Sequence, residues 1–336
     1  MLPAQRRKTG VSPLARGTLG GVAVVTSLLL AACGSSGGSG SGGAGGGSTS
    51  SAGGGSTSSS NPLAPAAGSG AVVVGSANFP EDELLAEIYI LALQGKGIKV
   101  TPKLNIGSRE VYYPEVKNGA ITVFPEYNGA LLTTSVDTTS TASTTAEVDA
   151  ALKSKLPASL EILAPSAAQD NDSVTVTQAT AAKDHLKSIA DLKPYAGQLD
   201  IGGPPEFKTR LAGLIGLKKK YRLNFKSFVP LDTSGPLTLA ALADSRVQAA
   251  DVFTTTPQII SNHLVSLTDP KFVFAAQNIV PLVYRKGVNA TTIATLNAIS
   301  AKLTTPALLA MDKAIILDKA NYSTVAAAWL KSVGLK

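Results

Sequence analysis

A run of 27 residues from Gly34 to Ser60 contains only Gly, Ser, Ala and Thr, and it has no apolar face that could be buried. Because none of these side chains is large enough to pack a core, we predict a flexible linker with an r.m.s. span of about 30 Å. Two prolines, Pro62 and Pro65, extend the predicted linker to residues 34–70. The folded part must then lie within residues 71–336, which suffice for one large domain or two lobes.

The first 33 residues have the pattern of a signal peptide for export. Four basic residues, the last being Arg16, precede an apolar segment from Val22 to Leu30 that is too short to remain as a membrane-spanning helix. The segment ends in Leu30-Ala31-Ala32-Cys33, which resembles the lipobox of bacterial lipoproteins. That resemblance implies a lipid on Cys33 and a location at the extracytoplasmic (periplasmic) face of the cell membrane. An ordinary secretory signal with a coincidental Cys is the alternative.

Composition excludes several classes of function. Cys33 is the only cysteine, so the folded part can hold no disulfide, cysteine zinc site or thiol nucleophile. The net charge of +7 falls to +3 once the four basic residues of the signal are removed, which does not favour nucleic acid as a partner. His185 and His263 stand apart, and we predict both at the surface. We therefore expect no enzyme activity, no metal and no cofactor.

Strand-like and helix-like segments alternate from residue 71 onward. An apolar strand at 71–74 precedes a helix that starts at Pro80, with three acidic residues in its first turn. The other predicted strands are 98–104, 121–124, 174–177, 199–201, 225–229, 247–253 and 278–284, and the other predicted helices are 109–117, 207–219, 236–243, 291–302, 306–318 and 323–333. This order predicts an α/β architecture with parallel strands.

Four loops rich in Asn, Thr, Gly and Pro follow predicted strands. They are residues 76–80, 125–129, 202–207 and 254–257. In open α/β sheets, ligands bind at the carboxyl ends of the strands, where such loops meet. The four loops together predict a site for a small molecule, although each one alone could be a structural turn.

Six segments in a fixed order carry a family resemblance. They are V-V-V-G-S-A-N-F-P at 72–80, N-I-G-S-R at 105–109, F-P-E-Y-N-G-A-L-L at 124–132, G-G-P-P-E-F at 202–207, L-D-T-S-G-P-L-T at 231–238 and V-F-T-T-T-P-Q-I at 252–259. Together they resemble the substrate-binding proteins of ABC importers for glycine betaine and other osmoprotectants. The order and spacing hold over nearly all of residues 71–336.

The resemblance implies a two-lobed α/β fold of the periplasmic-binding type (type II, Venus flytrap) with two interlobe crossovers. It places the crossovers near Asp170–Ser173 and Ala275–Val280, so that lobe 1 is 71–172 plus 276–336 and lobe 2 is 173–275. It also implies a monomer that captures a glycine betaine, choline or carnitine-type solute and delivers it to a membrane permease driven by a cytoplasmic ATPase.

The same resemblance carries over one ligand-facing aromatic residue, Tyr127, from the family's P-E-Y-T-G-T segment. Aromatic faces hold a quaternary ammonium through cation–π contacts, each worth up to about 2 kcal/mol when desolvated. With the predicted loops, the candidate ligand-binding residues are Asn78, Phe79, Tyr127, Asn128, Asp170, Pro205, Phe207, Phe228, Asp232, Thr254 and Thr255.

Departures from the family pattern leave the ligand open. Asn128 and Ala130 replace the two threonines of Y-T-G-T, and Phe228 and Phe253 stand where some relatives have Tyr. The many hydroxyl, amide and carboxylate groups suit a hydroxylated or phenolic ligand as well as a quaternary amine. A sensor or interaction lipoprotein on the same fold is a further alternative, and adjacent permease and ATPase genes would favour the importer.

Overall fold

The computed structural model describes residues 71–335, which form two five-stranded sheets covered by helices. Cys33 and the predicted linker lie outside the described residues. The first sheet has the strand order β2-β1-β3-β10-β4 and the second has the order β7-β6-β8-β5-β9. The strands are β1 (Val72–Gly75), β2 (Val100–Lys103), β3 (Val123–Tyr127), β4 (Leu160–Ile162), β5 (Asp172–Thr177), β6 (Asp200–Gly203), β7 (Ser227–Pro230), β8 (Ala249–Phe253), β9 (Leu264–Ser266) and β10 (Ile279–Tyr284).

Helices connect these strands and pack on both sheets. They are α1 (Pro80–Gly95), α2 (Arg109–Asn118), α3 (Asn128–Leu131), α4 (Thr145–Lys155), α5 (Gln178–Asp184), α6 (Leu214–Gly216), α7 (Pro236–Ala243), α8 (Gln258–Ser261), α9 (Ala290–Ser300), α10 (Thr305–Asp312) and α11 (Tyr322–Ser332). None of the helices within residues 71–335 is long and apolar enough to cross a membrane.

Both sheets are mixed, whereas the sequence predicted parallel strands. In the first sheet β1 runs parallel to β2 and β3, but β10 runs antiparallel between β3 and β4. In the second sheet β6 runs parallel to β7 and β8, but β5 runs antiparallel between β8 and β9. The prediction is wrong for β5 and β10 because each arrives from the other sheet and not through a helix that returns along its own sheet.

Helix ends follow local signals where those signals are strong. Helix α1 begins at Pro80 as predicted, and α2 is capped at its end by Gly119, whose φ of +84° favours glycine. Helix α4 was not predicted, although Thr144 and Glu147 form a capping box at its start. The predicted helix 207–219 is broken into short turns, because the backbone of Gly213 is extended (φ 177°, ψ −148°) and interrupts the helical hydrogen bonds.

Apolar side chains cover both faces of each sheet. In the first sheet Val123 and Val283 pack towards α1 and the C-terminal helices, whereas Phe124 and Leu282 pack towards α2 and α4. This alternation is the period of two that a strand buried on both faces requires. The second sheet likewise has a cluster on each face. Loops at the sheet edges are thereby left as the places where polar groups can converge.

The two chain crossings between the sheets lie side by side. One crossing joins β4 to β5 and the other joins β9 to β10, and Gln169 and Asn278 form an antiparallel bridge between them. The Asp170 N–H donates to the Gln277 carbonyl oxygen at 3.1 Å. At Gly129 a Cβ would lie 2.4 Å from the Ala276 carbonyl oxygen, so α3 lies directly against the second crossing.

Candidate ligand-binding cleft

The loops at the carboxyl ends of the strands face each other across a cleft between the two sheets. Its main cavity has a volume of about 780 Å³ and is lined by Asn78, Phe79 and Glu81 from the first sheet's side and by residues 231–236 from the second. A smaller cavity of about 50 Å³ shares Asn78 and Phe79 and continues inward to Tyr127. The volume fits a small organic molecule.

Three aromatic rings meet where the two cavities join. Phe79, just before α1, lies 5.9 Å from the Tyr127 ring at the end of β3, measured between centroids. The Phe79 ring also contacts Phe253 from the second sheet, edge to face, at 5.2 Å. Rings from both sheets therefore present π-faces and edges to the same space.

Two buried carboxyl groups line the main cavity, those of Glu81 in the first turn of α1 and of Asp312 at the end of α10. The Tyr127 hydroxyl donates to Glu81 Oε1 at 2.6 Å, while Glu81 Oε2 and both carboxyl oxygens of Asp312 have no hydrogen-bond partner within residues 71–335. Burial raises the pKa of Glu81, and burial together with the charge of Glu81 raises the pKa of Asp312. The two buried carboxyl groups therefore bind a proton more readily than exposed ones do.

Further carboxyl groups lie at the first crossing. Asp170 Oδ1 accepts from the Thr255 N–H at 3.1 Å and from the Thr254 hydroxyl at 3.2 Å, and burial followed by the charge of Glu81 raises its pKa. Asp172 accepts from Gln277 Nε2 at 2.6 Å, and burial raises its pKa as well. The inner end of the cleft is thus acidic.

Both arginines that line the smaller cavity are already paired with carboxylates. Arg109 Nε and Nη2 donate to Glu126 at 3.0 Å, and although burial opposes it, the charge of Glu126 raises the pKa of this guanidinium. Arg210 Nε and Nη2 donate to Glu110 at 2.9 and 2.7 Å. Neither guanidinium is left free to hold an anionic ligand.

Seven of the predicted site residues line the cleft. The main cavity is lined by Asn78, Phe79, Pro205, Asp232 and Thr255, of which Asn78 and Phe79 also line the smaller cavity. The smaller cavity alone is lined by Tyr127 and Asp170. Asp232, however, accepts from the N–H groups of Leu237 and Thr238, so its carboxylate caps the start of α7. Cys33 lies outside the described residues.

Four predicted site residues lie elsewhere. Phe207 is buried in the second sheet's core, and Phe228 packs against the same core. Asn128 is buried behind β3, where its Oδ1 accepts from the Asn278 N–H at 2.8 Å and fixes the second crossing. Thr254 is exposed and accepts from the Asn171 N–H at 2.9 Å at the first crossing. All four hold the walls of the cleft in place and do not line it.

Sequence reasoning missed Glu81, Asp312 and Phe253 as candidate site residues. Glu81 has an ordinary role as an acid in the first turn of a helix, which concealed its burial. A signal for Asp312 was present, since it directly follows the apolar stretch from Leu308 to Met311. Among the described residues, no group of three His, Cys, Asp or Glu is arranged to hold a metal ion.

Solved structures with the same architecture define the class of fold. A glycine betaine/carnitine/choline ABC transporter structure matches with a TM-score of 0.62 at 21% identity, covering 79% of this chain and 99% of that one. A choline binding protein in complex with choline matches with a TM-score of 0.58 at 17% identity, covering 78% and 88%. The chain has the two-lobed type II periplasmic-binding fold.

Sequence comparison then gives the family. The family model for the substrate binding domain of ABC-type glycine betaine transport systems (OpuAC) matches residues 70–332, so the chain belongs to this family. The glycine betaine-binding protein YehZ of Escherichia coli (strain K12) is 26% identical over 283 residues, covering 80% of this chain and 93% of that protein. The ergothioneine transport permease/ergothioneine binding protein EgtU of Helicobacter pylori (strain G27) is 25% identical over 206 residues, covering 60% of this chain and 36% of that protein.

Proposed function

We propose that this chain is the extracytoplasmic receptor of an ABC importer, held to the membrane by a lipid on Cys33, and that its cleft captures a small organic cation of the glycine betaine, choline or carnitine type. Membership of the glycine betaine transport family supports the role in transport. The observation that carries the choice of ligand is the cleft itself, where aromatic rings and buried carboxyl groups line one cavity.

The physical reason for choosing a cation is its electrostatic attraction to the aromatic rings and the carboxyl groups of the cleft. An organic cation would gain from the rings of Phe79, Tyr127 and Phe253 and from the carboxyl groups of Glu81 and Asp170, whose ionised forms a nearby cation would stabilise. A neutral polyol would gain little from the rings. Asp232, which sequence reasoning offered to a hydroxylated ligand, already accepts from two backbone N–H groups. These contacts favour a cation over a neutral polyol.

We propose the lobe boundaries 71–172 plus 276–336 and 173–275, with closure by a hinge motion about the two crossings. The separate sheets and the backbone pairing of Gln169 with Asn278 support this division. The receptor would act as a monomer that releases its solute unchanged to a permease driven by a cytoplasmic ATPase. The linker would keep the receptor within reach of that permease.

Uptake by cells tests the proposal. Cells that lack this chain should lose uptake of labelled choline, glycine betaine or carnitine, and the native chain should restore it. A Phe253→Ala variant should weaken ligand affinity up to about 30-fold, since a desolvated cation–π contact is worth up to about 2 kcal/mol. Phe272→Ala is the matched control, because Phe272 is 53% exposed and does not line the cleft. If loss of the chain leaves the uptake of all three solutes unchanged, the proposal is contradicted.

A further inference from the structure

Two cavities of very different size meet at the rings of Phe79, Tyr127 and Phe253. The smaller cavity has a volume of about 50 Å³, and the main cavity has a volume of about 780 Å³. Protein cavities of roughly 300–1,000 Å³ usually hold drug-sized molecules. A single choline or glycine betaine molecule would therefore leave much of the main cavity unfilled.

The large volume persists although the two sides of the cleft are already in contact. The Phe79 ring lies 5.2 Å from the Phe253 ring, and both rings line both cavities. Arg210 Nη2 from the second sheet's side donates to Glu110 Oε2 on α2 at 2.7 Å. The space in the main cavity is therefore not explained by sheets that stand apart.

Four aliphatic side chains form what we call the apolar wall of the main cavity. Leu231 and Leu239 come from the second sheet's side, and Ile315 and Ile316 come from the segment after α10. Leu239 and Ile315 are buried, whereas Leu231 and Ile316 are half-buried. Apolar surface that faces a cavity gains free energy when a ligand covers it and removes it from water.

Several polar side chains of the main cavity are already bonded to the protein itself. The Ser234 hydroxyl pairs with the Thr256 hydroxyl at 2.8 Å and accepts from the Phe253 N–H at 2.9 Å. The Asp232 carboxylate accepts from two backbone N–H groups at the start of α7. These groups have little to gain from further hydrogen bonds, so contact with the apolar wall contributes more to the binding of a ligand there.

Charged side chains give the cleft a direction. Asp170 and Asp172 line the smaller cavity but not the main one, and a cation beside them would stabilise their ionised forms. Lys319 lines the main cavity but not the smaller one, and its charge disfavours a cation nearby. A positive head group is therefore directed towards the smaller cavity, and the rest of the ligand extends into the main one.

We propose that the cleft selects an organic cation that carries an apolar extension of several carbons. The charged head lies at the three rings, and the extension lies along the apolar wall. This inference rests on the proposed function, in which the cleft captures an organic cation, and it specifies which members of that class bind most tightly. The rings attract the head through cation–π contacts, and the apolar wall holds the extension through the hydrophobic effect.

A series of alkyltrimethylammonium ions, from tetramethyl- to pentyltrimethylammonium, tests this selectivity because the charged head stays the same. Calorimetric titration of the full chain in detergent measures each affinity, with titration into detergent alone subtracted. We expect affinity to rise by up to about fourfold for each added methylene, which corresponds to about 0.8 kcal/mol per buried CH₂.

The outcomes of this series separate the inference from the proposed function. Affinity that stays level or falls as the chain lengthens would overturn the inference and leave the proposed function standing. If no ion of the series binds, and choline, glycine betaine and carnitine do not bind either, both are overturned.

Variants of the apolar wall locate the selectivity. Ile316→Ala and Leu231→Ala should each lower the affinity for pentyltrimethylammonium about fivefold and that for tetramethylammonium by much less, because each removes surface that the alkyl chain covers. Leu317→Ala is the matched control, since Leu317 is 37% exposed and does not line the cavity. An unchanged pentyl-to-tetramethyl ratio in both folded variants would overturn the inference. If one variant does not fold, the other variant and the native series decide.

Discussion

Three buried carboxyl groups at the cleft make the stability of the chain depend on pH. Glu81, Asp170 and Asp312 are buried close together, and burial is the largest cause that raises the pKa of each. Between the ordinary pKa and the raised value, the folded chain binds a proton that the unfolded chain has lost. The contribution of these groups to stability is therefore full below their ordinary pKa and falls as the pH rises through that window.

Removing one of these acids should change how stability depends on pH. In the unliganded chain, Asp312→Asn should raise the melting temperature relative to the native chain more at pH 8 than at pH 5. The reason is that Asp312 is forced towards its charged form beside Glu81 and Asp170 as the pH rises. Thermal unfolding at both pH values measures this, with the exposed Asp318→Asn as control. A native-to-variant difference that is the same at both pH values would contradict the argument.

The buried ion pair between Arg109 and Glu126 provides a second test at this scale. Arg109→Met should destabilise the chain by about 3–5 kcal/mol, because it leaves a fully buried carboxylate without its cation. Adding Glu126→Gln should recover much of that loss. Denaturant unfolding measures both variants, and Lys313→Met at the exposed pair with Asp318 should change stability by less than about 0.5 kcal/mol. A loss below about 1 kcal/mol for Arg109→Met would be inconsistent with a buried pair.

The sequence identified the loops of the cleft better than the side chains within them. Asn78, Phe79 and Tyr127 were found because they follow strands or match a family motif. Glu81 and Asp312 were not found, because burial of an acid depends on what packs over its helix, and that partner is far away in the sequence. Asn128 was assigned to the ligand because a polar side chain in a loop gives no sign that its partner is Asn278.

At the scale of elements, one contact joins helix α2 to the second sheet across the cleft. Glu110 near the start of α2 accepts from Arg210, which follows the turn Pro205–Lys208. Partial burial opposes ionisation, but the ion pair with Arg210 lowers the pKa of Glu110 to about 2. The pair is therefore charged at every pH above that value, and its contribution to stability decreases as the pH falls from the ordinary value of 4.5 towards 2.

Weakening this pair should speed ligand release. Glu110→Gln should raise the dissociation rate of a bound cation up to about fivefold, since exposed ion pairs contribute about 1 kcal/mol or less. Stopped-flow dissociation measures the rate, and high salt should reduce the difference between native and variant chains. Glu115→Gln is the matched control, because Glu115 on the same helix pairs with Lys103 within the first sheet's side. An unchanged rate at low salt would show that the pair does not hold the cleft closed.

Elements with strong local signals were predicted well, and those set by distant contacts were not. Helix α7 has the predicted bounds 236–243, and α1 begins at Pro80 as expected. The broken segment 207–219 depends on the extended backbone of Gly213, which no local pattern shows. The antiparallel strands β5 and β10 take their direction from the crossings between sheets, which lie outside any strand–helix–strand unit.

At the scale of the whole molecule, two sheets joined by two paired crossings explain why the cleft residues come from distant parts of the sequence. Phe79, Phe253 and Asp312 span most of the folded part, yet they line one cavity. The fold class could be predicted because six family segments are spread across the same range. Their spacing could not show how the side chains converge, which depends on how the sheets face each other.

The proposed anchor makes a separate prediction for the whole chain. Cys33→Ser should move the protein from the membrane fraction to the soluble extracytoplasmic fraction, because the serine hydroxyl cannot form the thioether to diacylglycerol. Cell fractionation with immunoblotting measures the shift. Ser35→Ala is the control, since it leaves the lipobox intact. A Cys33→Ser chain that remains in the membrane fraction after the signal is cleaved would contradict lipid anchoring.

Calorimetric titration of the full chain with a matched panel of solutes tests the central claim most directly. The panel contains choline, glycine betaine, carnitine and ethanolamine as organic ammonium compounds, and sorbitol and catechol as neutral hydroxylated ones. We predict saturable binding of at least one ammonium compound at micromolar concentration, weakened by Phe253→Ala, and no binding of sorbitol or catechol. Heat from sorbitol or catechol alone, with none from any ammonium compound, would contradict the claim that the cleft captures an organic cation.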